Sequence, residues 1–308
     1  MAQKIDIPLE LFEKAVVGED EKEHIASPNL TAFQDGWLRL KKNKAAVVSL
    51  AVLIVIFLLA IFGPIFSKYS YFVTDYQHTF QKPTMAHPFG TDQFGRDQWA
   101  RIWQGTRISL LIATAAAFID LFIGVTFGAV SALFGGKVDA VMQRIIEILV
   151  GIPQLIIVIL LMMVMPAGVW TVVLALSITG WVNMARLVRA QILKLKNLEF
   201  VMAARILGTS SKGIILKHLI PNTVGVIVIN VMFTIPSAIF TEAFLSFIGI
   251  GLAEPKASLG VLINNGYQVL QNYPHLLIFP AVIIVLIMVC FSILGDGLRD
   301  ALDPRMRR

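Results

Sequence analysis

Six stretches of this chain, residues 45–66, 108–134, 141–165, 170–193, 224–248 and 276–294, are apolar over lengths that a water-soluble fold does not use. A helix rises about 1.5 Å per residue, so about 20 apolar residues cross a hydrocarbon layer roughly 30 Å thick. Helices are favoured there because they satisfy every backbone polar group without water. The chain is therefore read as an all-α, polytopic membrane protein with six transmembrane helices. Composition agrees: 56% of the 308 residues are hydrophobic and only 15% are charged, more apolar surface than one soluble core needs. The first window lies behind 44 mostly polar, partly acidic residues, unlike the short basic start of a secretory signal. That opening segment is expected to be retained.

Six crossings put both ends on one side, and the distribution of Lys and Arg selects the side. If both ends are cytoplasmic, 20 of the 26 basic residues fall in cytoplasmic segments and 6 outside. The net charge of +6 then reads as a topology signal and an attraction to anionic headgroups; no basic run is dense enough for nucleic acid. The single cysteine, Cys290, excludes an internal disulfide and any cysteine-based metal cluster. The organisation that follows is a cytoplasmic tail 1–44, a first transmembrane helix with an extracytoplasmic segment 45–107, a transmembrane domain 108–298, and a cytoplasmic tail 299–308. In the first tail, "GEDEKEH" reads as a solvated run, while Phe33, Trp37 and Leu40 share one face of an expected interfacial helix. Gly124 and Gly128 form a GxxxG step that lets a second helix approach closely. Pro153, Pro166 and Pro236 are expected to interrupt or bound helices.

Between the fourth and fifth windows lies "LEFVMAARILGTSSKGIILKHLIPN", residues 198–222, too polar to cross a bilayer. Phe200, Ala203, Ala204 and Leu207 recur at i, i+3, i+4 and i+7, which predicts one short helix with a small apolar face. Gly208 interrupts it. Thr209, Ser210 and Ser211 supply caps for a second helix with Ile214, Ile215 and Leu219 on its apolar side, stopped by Pro221. The expected product is a helix–turn–helix along the cytoplasmic surface. Periodicity alone leaves open whether it rests on headgroups or receives a partner.

Ionisable groups inside a membrane cost roughly 3 kcal/mol or more, so those that occur are functional candidates. Asp120 lies near the middle of its window and is expected either to face a watery path, in contact with cationic or hydrogen-bonding parts of a substrate, or to bond a neighbouring helix. Glu242 lies near the outer interface, where a structural or gating role is expected. Arg144 and Glu147 are spaced to pair on one helix face. Asp296, Arg299 and Asp300 are expected to pair locally. "GGKV" lacks the glycine spacing and the Ser or Thr of a phosphate-binding loop. His87, His218 and His275 have no ligand spacing, and no hydrolase motif occurs.

Five stretches, in order, resemble the permeases of ABC importers, in particular those for dipeptides, oligopeptides and nickel. They are "GTDQFGRDQWARIWQGTRISL", "GWVNMARLVRAQILKLKNLEF", "AARILG" with "HLIPN", "EAFLSFIGIGL" and "LGDGLRDALDPR", and the likeness extends over about 37–305. The resemblance implies the type I importer permease fold, in the C-type of the two permease subunits, and makes 198–222 the loop that couples to a motor. It implies that Ala203, Ala204 and Gly208 lie in the helix gripped by an ATPase cleft, with Pro221 and Asn222 turning the chain back into the membrane. Glu199 is kept, His218 matches a usual histidine, and Met202 stands where the family usually has Glu, so an ion pair from position 202 is not implied.

The implied partners are a second homologous permease, two ATPase subunits and an extracytoplasmic substrate-binding protein. ATP and magnesium would be held by the ATPases, and no cofactor or metal by this chain. The implied place is the inner or plasma membrane of a prokaryote, and the implied activity is non-catalytic import of short peptides. Nickel or another small solute is an alternative cargo. An ion-driven secondary transporter, with Asp120 and Glu242 as coupling acids, is the rival of another class.

Overall fold

The structure, a computed structural model, describes residues 32–252 and 254–302. The "GEDEKEH" run, the side chain of Phe33 and the last residues of "LGDGLRDALDPR" lie outside the described residues. Among the described residues the chain is helical throughout its regular structure. Among the described residues five helices are long and apolar enough to cross a membrane, six if one pair bent by 79° is counted as a single broken span.

The first helix, α1 (Ala32–Lys42), lies beside the C-terminal helix: Leu40 is buried, and a side chain at Gly36 would collide with Leu302. Trp37 stays exposed with Lys41 over its ring. Asn43 then caps α2 (Lys44–Phe66), accepting from the Ala46 N–H. The next long helix, α3 (Gln98–Phe134), starts ahead of its apolar window at Ile108 because Asp97 caps it, taking the Ala100 N–H at 2.8 Å. Its 37 residues extend roughly 55 Å, so one end must reach past the hydrocarbon layer.

The third window is not one straight crossing. It divides into α4 (Gly136–Gly151) and α5 (Gln154–Val164), whose axes differ by 79°. Pro153 cannot donate to a helical ladder and holds Ile152 in an extended conformation, which breaks the rod there. By contrast Pro236, also expected to interrupt, sits inside a helix that continues past it. After Pro166, α6 (Val169–Leu195) returns along α3. The glycine step explains the closeness of this pair: a Cβ at Gly124 would lie 2.6 Å from the Met184 Cβ, and one at Gly128 would collide with the Ala185 carbonyl. At the α6 C-terminal end, Lys196 donates to the Ala132 carbonyl at 3.0 Å and Arg189 grips Asp139 of α4 through both carboxylate oxygens. Arg144 and Glu147 pair at 3.0 Å, as their spacing requires.

A short α7 (Glu199–Ile206) is followed by α8 (Ser211–Gly213), a π-helical turn (Ile214–Leu219) and α9 (Ile220–Phe247), the last three forming one continuous rod. A connection carrying α10 (Leu259–Gln268), capped by Ser258, leads to α11 (His275–Leu302), which packs on α2 and α9. The core runs between these rods, with Ala116, Val172, Ile239 and Ile287 fully enclosed.

Candidate functional site

Three places concentrate polar or exposed chemistry: the elbow after α6, a cavity between α3, α6 and α9, and the 67–97 segment with α10 at the other end of α3. Each follows from local sequence.

In the elbow, eight residues give α7 only two turns, enough for a single inward stripe. That stripe is Val201 and Ala204, with Val201 packed in the apolar cluster of Ile192, Ile214 and Leu219. Of the face expected from Phe200, Ala203, Ala204 and Leu207, three residues stand exposed and Ala204 points inward. Phe200, Met202 and Ala203 are exposed, and Ile206 and Leu207 are 86% and 84% exposed. Glu199 is exposed in the first turn, where its charge favours the helix N-terminus. Gly208 ends α7 with φ of +79°, its N–H donating to Arg205 O while the Thr209 N–H reaches Ala204 O. This pattern requires a left-handed residue, which glycine adopts without strain. Ser210 then accepts from the Gly213 N–H and starts the next helix.

Pro221 neither stops that helix nor turns the chain. The π turn lets Ile220 donate five residues back, to Ile215 O, and this wider turn passes the proline into α9. Asn222 donates its side-chain Nδ2 to His218 O at 2.6 Å within the same rod. So the elbow is one free short helix joined to the foot of the fifth crossing, not a surface pair. His218 is half-buried, and among the described residues no group of His, Cys, Asp or Glu is arranged to hold a metal.

The cavity, of about 230 Å³, is lined by Asp120 of α3, Gln154 of α5, Thr179 and Asn183 of α6, and Asn230 and Thr234 of α9, among others. Asp120 is 5% exposed, and its Oδ1 has no hydrogen-bond partner; Thr179 Oγ1 is also buried and unpartnered. Gly180 gives the carboxylate its room, since a Cβ there would collide with it. Sequence reading had singled out Asp120 alone. The signal it passed over was the set of neutral amides and hydroxyls inside apolar windows, which are costly in hydrocarbon unless they face one another or water.

Glu242 is not in that cavity. It is fully buried and accepts from Ser109 Oγ at 2.7 Å and Ser246 Oγ at 2.9 Å, a satisfied group that ties α3 to α9. Ser109 also accepts from the Leu259 N–H at the start of α10. Above it, Arg96 bonds Asp92 at 2.7 Å and Glu254 at 3.0 Å, and Arg101 stands 3.4 and 3.5 Å from the same two carboxylates. Burial raises the Glu254 pKa, but hydrogen bonds from Arg96 and Asn265 outweigh it and hold the carboxyl below the usual glutamate range. His87 meets Asp97 at 2.8 Å, and Phe89 stacks on Phe279.

Residues 124–308 match the family model described as "Binding-protein-dependent transport system inner membrane component", and residues 31–83 that described as "N-terminal TM domain of oligopeptide transport permease C". The chain is 46% identical to the oligopeptide transport system permease protein OppC of Bacillus subtilis (strain 168), over 98% of this chain and 99% of that one. It is 45% identical to the dipeptide transport system permease protein DppC of the same organism, over 99% and 96%. Against OppC of Escherichia coli (strain K12) the identity is 41%, over 94% and 96%. Among solved structures, a chain of the inward-facing MetNI methionine ABC transporter superposes with a TM-score of 0.55 at 18% identity, covering 66% of this chain and 96% of that one, a likeness of fold.

Proposed function

This chain belongs to the family of binding-protein-dependent transport inner membrane components, and from that premise we propose that it is one membrane-spanning permease subunit of an ATP-driven importer of short peptides. It does no bond chemistry. It forms half of a pore with a second homologous permease, receives cargo from a substrate-binding protein, and is driven by two ATPase subunits that hold ATP and magnesium. Both termini lie on the ATPase side. The relatives' printed names, oligopeptide and dipeptide permeases at 45–46% identity over nearly the whole chain, support peptide as the cargo class.

The observation that carries the coupling role is the outward face of α7. Apolar side chains at Phe200, Met202, Ile206 and Leu207 stand exposed on a short helix anchored by Val201 and Ala204. Exposed apolar patches of this kind, at an end of the bundle rather than along its length, fit a protein partner. ATP binding would draw the two ATPases together, carry α7 with them, and shift the spans between inward-open and outward-open populations. Glu199 and the backbone turn at Gly208 would hold the helix in docking register, and the rod through His218, Pro221 and Asn222 would pass its displacement directly to α9.

A cysteine at Ile206, in a Cys290→Ser background, should crosslink to the ATPase in the assembled complex. Ala204 is the wrong position for such a probe because its side chain faces its own chain. If Ile206→Cys reacts with a small maleimide yet gives no ATPase adduct in any nucleotide state, the docking role is lost.

A further inference from the structure

The intramembrane cavity holds an acid, Asp120, with a buried and unpartnered carboxyl oxygen. Asp120 is the only ionisable side chain on its lining; the other polar members are amides and hydroxyls, and no Lys, Arg or His is among them. A carboxylate in a membrane interior is stable only with a counter-charge or several donors. Here Oδ1 is buried without a donor, and Thr179 Oγ1 on the next helix is likewise unpaired. Glu242 is the internal control: in the same bundle a carboxylate meant to be structural is sealed in and bonded by two hydroxyls.

The cavity, about 230 Å³, has room for one end of a short peptide. An ammonium offers three donors and no acceptor, which matches one carboxylate surrounded by neutral oxygens. An α-carboxylate would meet repulsion from Asp120 and find no cation.

Resting on the reading of this chain as a peptide permease, we propose that the cavity between α3, α6 and α9 is a transit subsite for the free amino terminus of the peptide, with Asp120 as the ammonium's partner. Thr179, Asn183 and Asn230 supply the remaining acceptors. Gly180 is a positioning residue, since only a residue without Cβ leaves the carboxylate where it stands.

The test uses the complete importer in proteoliposomes, with trialanine as probe. ATP-dependent trialanine uptake by the unaltered complex checks the peptide reading itself; its absence sinks that reading and not the chemistry of the cavity. Given uptake, Asp120→Asn should lower the initial rate at least about tenfold, the scale of a lost charge-assisted contact. Asp120→Glu should recover most of the loss. Initial rates are compared per amount of assembled complex recovered for each variant. Uptake by Asp120→Asn within about twofold of the unaltered rate overturns the proposal, as does an Asp120→Glu variant as poor as the amide.

A binding readout stands apart from transport and from the binding protein. In a Cys290→Ser background, a cysteine at Ser237 on the cavity wall should be labelled more slowly by a maleimide when trialanine is present, and at the unchanged rate with N-acetyl-trialanine. Equal protection by both peptides, or by neither, overturns the assignment. So does uptake that falls when a sodium or proton gradient is collapsed, because that gives Asp120 to an inorganic cation.

Discussion

Where α3 begins, ion pairs knit the chain to itself; where α3 ends, it leaves apolar side chains facing outward. In the first region two arginines, Asp92 and Glu254 interlock, His87 holds Asp97, and Glu242 is bonded by two hydroxyls. Long-range contacts there tie residues more than 130 positions apart. In the second, α7 is attached through Val201 and Ala204, with a glycine hinge behind it. The difference teaches where each region finds its missing free energy. Buried ions are tolerable only when paired, and in the 67–97 region the charges that pair come from this chain. An exposed apolar helix of eight residues is too short to be stable alone, so the elbow is completed by something else.

Breaking the self-contained region should cost the most. Arg96→Ala leaves Asp92, which is 5% exposed, with Arg101 at 3.4 Å as its remaining cation, and removing one member of a buried pair typically costs about 3–5 kcal/mol. The variant should unfold at a clearly lower temperature in detergent, and limited proteolysis should cut first within 67–97. Gly208→Val should cost less, about 1–3 kcal/mol, because valine must adopt a left-handed backbone at φ of +79° although no atom blocks its side chain. Its larger effect should be on transport: ATP hydrolysis persists while uptake falls. Gly208→Ala with unaltered coupling would show that the turn's geometry is not what matters at the elbow.

The same comparison explains what could be read from sequence. Crossings were legible because about 20 apolar residues have few alternatives, and a close helix contact on α3 because Gly124 and Gly128 sit one turn apart, though not that α6 makes it. The break at Pro153 was legible in kind, though not as a 79° bend, because local preference stops the helix while tertiary packing sets the new direction. Pro221 misled for the opposite reason. A proline reads as a stop only while the turns before it are α-helical, and the π turn over Ile214–Leu219 removes that premise. The anchoring of α7 through Val201 was not legible, because eight residues are too few for periodicity to show which apolar side chains turn toward the bundle. Sequence placed Glu242 and Asp120 at different depths, but only the approach of Ser109 from another helix shows one acid bonded while the other is left open.

Acid should loosen the self-contained region before it touches the elbow. The Glu254 pKa is depressed in the folded chain, so its ion pairs contribute fully above the unfolded value, about 4.3, and that contribution disappears as pH falls through the lower folded value. Protease access to 67–97 should therefore rise below about pH 4, and Glu254→Gln should flatten that part of the profile. An unchanged profile would mean that the pairing at Arg96 does not hold the segment.

The smallest effect on stability, and the sharpest contrast, belongs to Ile206→Glu. At 86% exposure the side chain packs against nothing in its own chain, so the change should move stability by no more than about 0.5 kcal/mol. If α7 is finished by an ATPase, a buried carboxylate at that interface should still weaken docking, because desolvating an unpaired charge opposes association. The variant should thus insert and purify like the original chain, bind the ATPases weakly, and import poorly. A variant that folds, docks and imports normally would make α7 a surface ornament, and the region would then be as self-sufficient as the one at the other end of α3.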